Sequence, residues 1–441
     1  MLTQHFDAVV MLTASDWHAE MRSNRYHYAS RFARYLPVLF VQPDVAEPKV
    51  ELEQSELAGV SIVHVYKTYG WTQCALLRSL LHRRGITSPL FWVYNWQFLP
   101  FIELGGAACI AYHATEDYFS SAFNLHRRHL RDLRTVLRRT DLLIAVSEGV
   151  KASYERQGGY RGESLLLTNG CDFGFWALRP GERVPPPRER VALYQGGIHR
   201  KIDFALMDEL VRRMPDWEFW FCGVAAVNMP EWLSLCCHAN VRYHGKLRPE
   251  EVRSLALQAT LGMIPFVQKD WIFERAFPLK AFEYVACGLP VVSVPIKALS
   301  GYADVISCAR TAEEFQAAMR AQALTRNDPD ALARRRQAAQ AHDYEIRFAA
   351  LCSAPALNTS SPRLNPHDPR RWSPRATVFV RASLEAVRRT VRRWAKATMR
   401  AVIRFGTTTL VACGWKGAER LEAEIEAGCR KLWHRLLPER G

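Results

Sequence analysis

The sequence predicts an α/β protein with two Rossmann-like domains facing each other across a cleft. Short apolar runs alternate with helical patterns over most of the chain, as in parallel sheets joined by crossover helices. The alternation comes in two series, separated by a stretch from Arg179 to Arg190 that contains Pro185, Pro186 and Pro187 in a row. With 441 residues, 49% of them hydrophobic, and 13 Trp, the chain is long and apolar enough to fill two cores. The same figures exclude a chain disordered throughout.

The N-terminus reads MLTQHFDAVVMLT, with no basic stretch and with Asp7 inside the apolar run, so a first strand is expected there rather than a signal peptide. Strands are predicted over 7–12, 38–41, 61–65, 90–94, 108–112, 142–147 and 164–168, with helices over 25–35 and 126–139. The uncharged run 85–102 has the 18 residues that a spanning helix needs at minimum. Pro89, Asn95, Gln97 and Pro100 interrupt it, so it reads as a buried strand and its loop. The second series predicts strands over 191–195, 218–223, 241–243, 261–264, 289–294 and 304–307. Its helices fall over 204–214, 249–258, 279–286 and 311–324, followed by a long helical stretch from Ala331 to about Cys352. The expected organisation is a first domain 1–180, a linker 181–190, a second domain 191–352 ending in a return helix, a Pro/Ser/Asn-rich linker 353–375 and a basic helical tail 376–441.

The net charge of +15 is uneven: the last 81 residues carry +11 and the two-domain body only +4. In the tail, Val380, Leu384, Val387, Val391, Trp394, Val402 and Phe405 recur at helical spacing, flanked by Arg388, Arg389, Arg392, Arg393 and Lys396. Such a helix suits an anionic membrane surface; packing on the protein's own body or on another copy is the alternative. The uncharged continuation 405–415 is too short to span a bilayer. No nucleic-acid-binding module accompanies the arginines, so nucleic acid is not an expected partner. The 11 cysteines are odd in number, irregular in spacing and without zinc-ligand patterns, as expected in a reducing, cytosolic compartment.

The most specific motif is PLKAFEYVACGLPVV, residues 278–292, which places Lys280 and Glu283 three apart on one face of a short helix. A carboxylate there can take both hydroxyls of a ribose, and a Lys one turn earlier can meet a phosphate. In isolation the two also fit a surface ion pair. At the predicted C-terminal end of strand 108–112 stand His113, Glu116 and Asp117, where ligands sit in open α/β sheets. One of the two carboxylates fits a general base, and the pair also fits a helix start before 119–125. The one D-x-D, Asp328-Pro329-Asp330, lies between two predicted helices, where Asp caps a start, so no metal cofactor is expected.

The block P-x-K-x-x-E-Y-x-A-x-G-x-P-V-V, carried by Pro278, Lys280, Glu283, Tyr284, Ala286, Gly288, Pro290, Val291 and Val292, resembles the family 4 glycosyltransferases and their bacterial exopolysaccharide relatives, enzymes of the GT-B fold. LYQGGIHRKIDF resembles the family's glycine turn, AYHATEDYF its acidic loop, LLIAVSEGV its strand and helix start, and LTNGCDFGFW its turn before the linker. The resemblance covers residues 5–350. It implies that Glu283 binds the ribose of a nucleotide sugar and that Lys280 lies by the diphosphate or sugar. It further implies that Gly196 and Gly197 admit phosphates to the backbone, and that Arg200 or Lys201 supplies positive charge to the leaving group. Two positions depart from it. Arg275 stands eight residues before Glu283, where many relatives carry an acid, and the first-strand loop reads A-S-D-W-H. Asp16 and Trp17 in that loop, with Arg25 and His27, are thereby expected at the acceptor side. An inverting enzyme would use Asp117 or Glu116 as base, whereas in a retaining one His113 would touch the donor sugar. The function implied is metal-independent transfer from a nucleotide sugar to a lipid-linked or saccharide acceptor at the cytosolic membrane face, in polysaccharide or glycolipid synthesis. A catalytically inactive GT-B-like scaffold at the membrane is the alternative.

Overall fold

The computed structural model describes residues 2–19, 22–179, 182, 187–227, 229–358, 384, 385 and 387. Most of the tail stripe and its arginines, and much of the stretch 181–190, lie outside the described residues. So do most of the residues assigned to the linker 353–375.

The first sheet holds eight strands: β1 (Ala8–Leu12), β2 (Val38–Val45), β3 (Val50–Gln54), β4 (Val60–Tyr66), β5 (Pro89–Val93), β6 (Cys109–Ala114), β7 (Leu142–Ala145) and β8 (Glu163–Leu166). Their order is β3-β4-β2-β1-β5-β6-β7-β8, parallel except for the antiparallel β3–β4 pair. Strand β1 is buried at every residue, because helices cover both faces of the sheet; hence its continuous apolar run. Strand β3 escaped prediction because VELEQ is an exposed edge strand with little apolar signal.

The second sheet has six parallel strands, β9 (Val191–Gln195), β10 (Glu218–Cys222), β11 (Val241–Tyr243), β12 (Leu261–Ile264), β13 (Val291–Ser293) and β14 (Ile306–Cys308). Their order is β11-β10-β9-β12-β13-β14. In both sheets the order reverses beside the first strand, and such switch points leave a crevice at the carboxyl ends of the strands.

The helices of the two domains include α1 (Asn24–Phe32), α2 (Trp71–Arg83), α3 (Glu148–Arg156), α4 (Asp270–Arg275), α5 (Leu279–Ala286) and α6 (Tyr344–Cys352). Pro100, expected to break a helix, instead occupies the first turn of the helix Leu99–Leu104, where its missing N–H costs nothing. The stretch predicted as one helix over 331–352 is two, Pro329–Ala341 and α6, divided where Asp343 caps the second. The break lets the chain cross back. Tyr344, Phe348, Leu351 and Leu357 are buried in the first domain's core, and the Phe348 ring meets that of Phe32 in α1 at 5.1 Å. The last part of the stretch assigned to the second domain, 344–352, therefore completes the first domain's core.

Candidate active site

A cavity of about 380 Å³ lies between the two domains and is lined from both. The first domain contributes residues just past β6 (Thr115, Glu116, Asp117), Val146 past β7 and Asn169 past β8. The second contributes Gly196 and Gly197 past β9, Gly223 past β10 and Phe266 past β12, together with Lys280 and Glu283 from α5. The tight floor depends on glycine: a Cβ on Gly223, which has φ +136°, would lie 2.0 Å from the carbonyl oxygen of Gly196.

Lys280 and Glu283 are brought together on the cavity side of α5 by their i,i+3 spacing. Glu283 is 8% exposed and accepts a short hydrogen bond from the Gln195 amide. Burial pushes its carboxyl up to about 7, against the opposing pull of Lys280. Burial likewise brings the Lys280 ammonium down to about 7, with Glu283 acting against that shift. The Lys280 Nζ lies 3.7 Å from the centroid of the Tyr194 ring, which partly replaces lost hydration. Two strongly desolvated opposite charges that do not pair directly form a site prepared for a ligand carrying both hydroxyl donors and anionic oxygens.

The carboxylates past β6 differ from each other. Asp117 is 3% exposed, accepts from the Ser153 hydroxyl at 2.7 Å and the Phe119 N–H at 3.1 Å, and meets Arg275 Nε at 2.6 Å across the domain interface. That last approach is a charge contact, with the N–H not aligned on the oxygen. Arg275, the departure from the family pattern, thus neutralises Asp117. Glu116 is more open and reaches over the cleft to Lys201 at 3.2 Å. The pair does not form a helix N-cap; Asp117 instead closes a turn onto Phe119, and the next helical turn is capped by Ser120.

His113 does not line the cavity. It is 2% exposed among Tyr28, Trp92 and Tyr94, its Nδ1 lies 3.2 Å from the Tyr94 hydroxyl, and burial with nearby Arg25 drives it down to about 3, so it is neutral. None of Asp16, Trp17, Arg25 and His27 lines the cavity either. Asp16 is exposed and accepts from the His18 N–H, whereas Trp17 is buried against Phe40 and donates to Glu56 at 2.9 Å. Arg25 lies over the Tyr94 ring, and His27 stacks on Tyr344 at 4.2 Å. These two side chains serve the packing of α1 against β5 and α6. Lys201 lines the cavity and Arg200 does not; it faces a neighbouring pocket. Asp328 caps the helix Pro329–Ala341 by accepting the Ala331 N–H at 2.7 Å.

Sequence reasoning missed Tyr194, Gln195, Phe266 and Trp271, all in the cavity wall. Tyr194 and Gln195 end β9, next to the glycine turn. Their position at a strand's carboxyl end was the signal available.

Residues 191–334 match the family model of the glycosyl transferases group 1. Over 174 residues the chain is 28% identical to TuaH of Bacillus subtilis, named as a teichuronic acid biosynthesis glycosyltransferase; the match covers 37% of this chain and 43% of the relative. Among solved structures, sucrose-phosphate synthase of Thermosynechococcus elongatus has a TM-score of 0.58 at 14% identity, covering 78% of this chain and 97% of its own. HepE of Anabaena in complex with UDP-glucose has a TM-score of 0.56 at 16% identity, covering 79% and 98%. The UDP-forming α,α-trehalose-phosphate synthase of Burkholderia vietnamiensis has 0.56 at 12%, covering 80% and 99%. The two parallel sheets and the cleft between them are the GT-B fold.

Proposed function

We propose that the chain is a glycosyltransferase that takes a sugar from a nucleoside-diphosphate sugar held in the interdomain cavity. The observation that carries this reading is the buried pair Lys280 and Glu283, set beside the glycine floor of a domain that matches the glycosyl transferases group 1 model. Glu283 takes the ribose hydroxyls, and Lys280 meets the diphosphate or the sugar. Gly196 and Gly197 bring backbone to the phosphates. As the glycosidic bond breaks, negative charge grows on the departing diphosphate, and Lys201 and Lys280 stabilise it without a metal. On donor binding Lys201 exchanges its contact with Glu116 for the phosphate. That releases Glu116, the more open carboxylate of the cavity wall, to accept the acceptor hydroxyl's proton if transfer is inverting. Asp117 is a positioning residue, since its carboxylate is already engaged by Arg275 and Ser153.

HepE was solved with UDP-glucose, which makes a uridine donor the first to try. The acceptor is a lipid-linked or saccharide one, used at the cytosolic membrane face in polysaccharide or glycolipid synthesis. The basic tail supports that location. Among the described residues no helix is long and apolar enough to cross a membrane. Thermal-shift titration with UDP, GDP and ADP tests the reading. Stabilisation by one of them, lost in Glu283→Ala and Lys280→Ala, is expected, and unchanged affinity in both variants would remove the site assignment. Deleting the chain after Pro362 should abolish binding to anionic liposomes; unchanged binding would refute the location.

A further inference from the structure

A second pocket, of about 690 Å³, adjoins the donor cavity and shares His199, Lys201 and Trp271 with it. Its remaining wall comes from Ser121 and Ala122 past β6, Arg200 of the glycine turn, and Val267 and Lys269 past β12, with a lip at Ala226, Val227 and Met229. Arg200, Lys201 and Lys269 give it three cations, and among the described residues no carboxylate lines it. Lys201 is occupied by Glu116, whereas the side chains of Arg200 and Lys269 make no ion pair or hydrogen bond among the described residues. His199 is held below its ordinary pKa by burial and by Lys201 and Lys280, so it adds no charge. The Trp271 ring stands at the wall between the two spaces, where a sugar face can stack.

Two cations without an ion pair among the described residues, facing a cavity whose described wall carries no acid, select an anion, and an Arg beside a Lys suits the oxygens of a carboxylate or a phosphate. The shared wall puts such a ligand directly beside the donor cavity. We infer that this outer pocket is the acceptor subsite and that the acceptor bears an anionic group, carboxylate or phosphate, held by Arg200 and Lys269. The inference rests on the donor reading of the inner cavity.

The test uses the full chain saturated with UDP and titrated with glucose 1-phosphate, a hexuronic acid and glucose, followed by calorimetry and saturation-transfer NMR. One anionic sugar should bind at least ~10-fold more tightly than glucose, and the arm that does so identifies the group. Arg200→Gln/Lys269→Gln should remove that preference with UDP affinity within about twofold of the parent, and Arg200→Lys/Lys269→Arg should restore it, which separates charge from folding. Equal binding of glucose, or anion binding unchanged in the Gln variant, would overturn the proposal. A loss of UDP affinity in the Gln variant would overturn it too, by assigning the pocket to the donor. If the parent fails to bind UDP yet binds the anion through Arg200 and Lys269, the donor reading falls and the anion pocket stands.

Discussion

Replacing Arg275 by Met separates the structural role of Asp117 from a catalytic one. In the parent, Asp117 Oδ2 lies 2.6 Å from Arg275 Nε, with the side chains 2% and 27% exposed. Removing one partner of a fully buried pair costs about 3–5 kcal/mol. The partial exposure of Arg275 and the poor alignment of its N–H lower that to about 2–3 kcal/mol. At about 2–4 °C per kcal/mol for domains of this size, the thermal midpoint of Arg275→Met should fall by roughly 5–10 °C. Asp117→Asn removes the charge from the other side, and the double variant should recover about 1–3 kcal/mol relative to the sum of the single changes, because neither charge is then left alone. The contact joins the two domains, so small-angle scattering of Arg275→Met should also show a larger radius of gyration. A midpoint within about 1 °C of the parent with unchanged scattering, or a cycle that is additive within about 0.5 kcal/mol, would refute the clasp.

Nucleotide affinity should peak near pH 7: below it Glu283, raised to about 7, takes up a proton, and above it Lys280, lowered to about 7, loses one. Each limb falls toward tenfold per pH unit in calorimetric titrations from pH 5 to 9, and a flat profile would contradict the paired site. Lys280→Met should abolish nucleotide binding and yet stabilise the fold. Since the folded pKa of Lys280 is depressed to about 7 from its ordinary 10.5, its burial penalises stability increasingly as pH falls from 10.5 toward 7 and fully below that, so the gain in midpoint should be larger at pH 6 than at pH 9. A Cβ at position 149 would lie 2.2 Å from the Glu274 carbonyl oxygen, so Gly149→Ala should hold the domains apart and weaken nucleotide binding at least ~10-fold by the same titration. Glu385 accepts from the Thr72 N–H at 3.1 Å and its hydroxyl at 3.0 Å, at the start of α2; Glu385→Ala should cost about 1 kcal/mol in denaturant unfolding.

The sheets were legible because their central strands are buried on both faces and therefore read as uninterrupted apolar runs; β9 and β12 were predicted to the residue. β3 was hidden because an edge strand needs no such run. The Lys280 and Glu283 pair was legible because helical spacing alone puts the two on one face. The acceptor-side expectation met a different arrangement, since local sequence cannot tell an aromatic or basic side chain facing a cleft from one facing a neighbouring helix. His27 stacks on Tyr344, 317 positions away, and the Trp17 ring meets Phe40 edge-to-face. Asp117 and Arg275 were each noticed, but their pairing depends on how the two domains meet, which no local pattern encodes. A return helix was expected, whereas the partners that α6 meets in the first domain's core were unreadable for the same reason.

Isothermal titration of the full chain with UDP, GDP and ADP at pH 7, alongside Glu283→Ala, tests the donor site most directly. One-to-one binding of one nucleoside diphosphate by the parent is expected, with at least ~100-fold loss in the variant, in line with a buried charged hydrogen-bonding group. Binding that survives Glu283→Ala unchanged would contradict it.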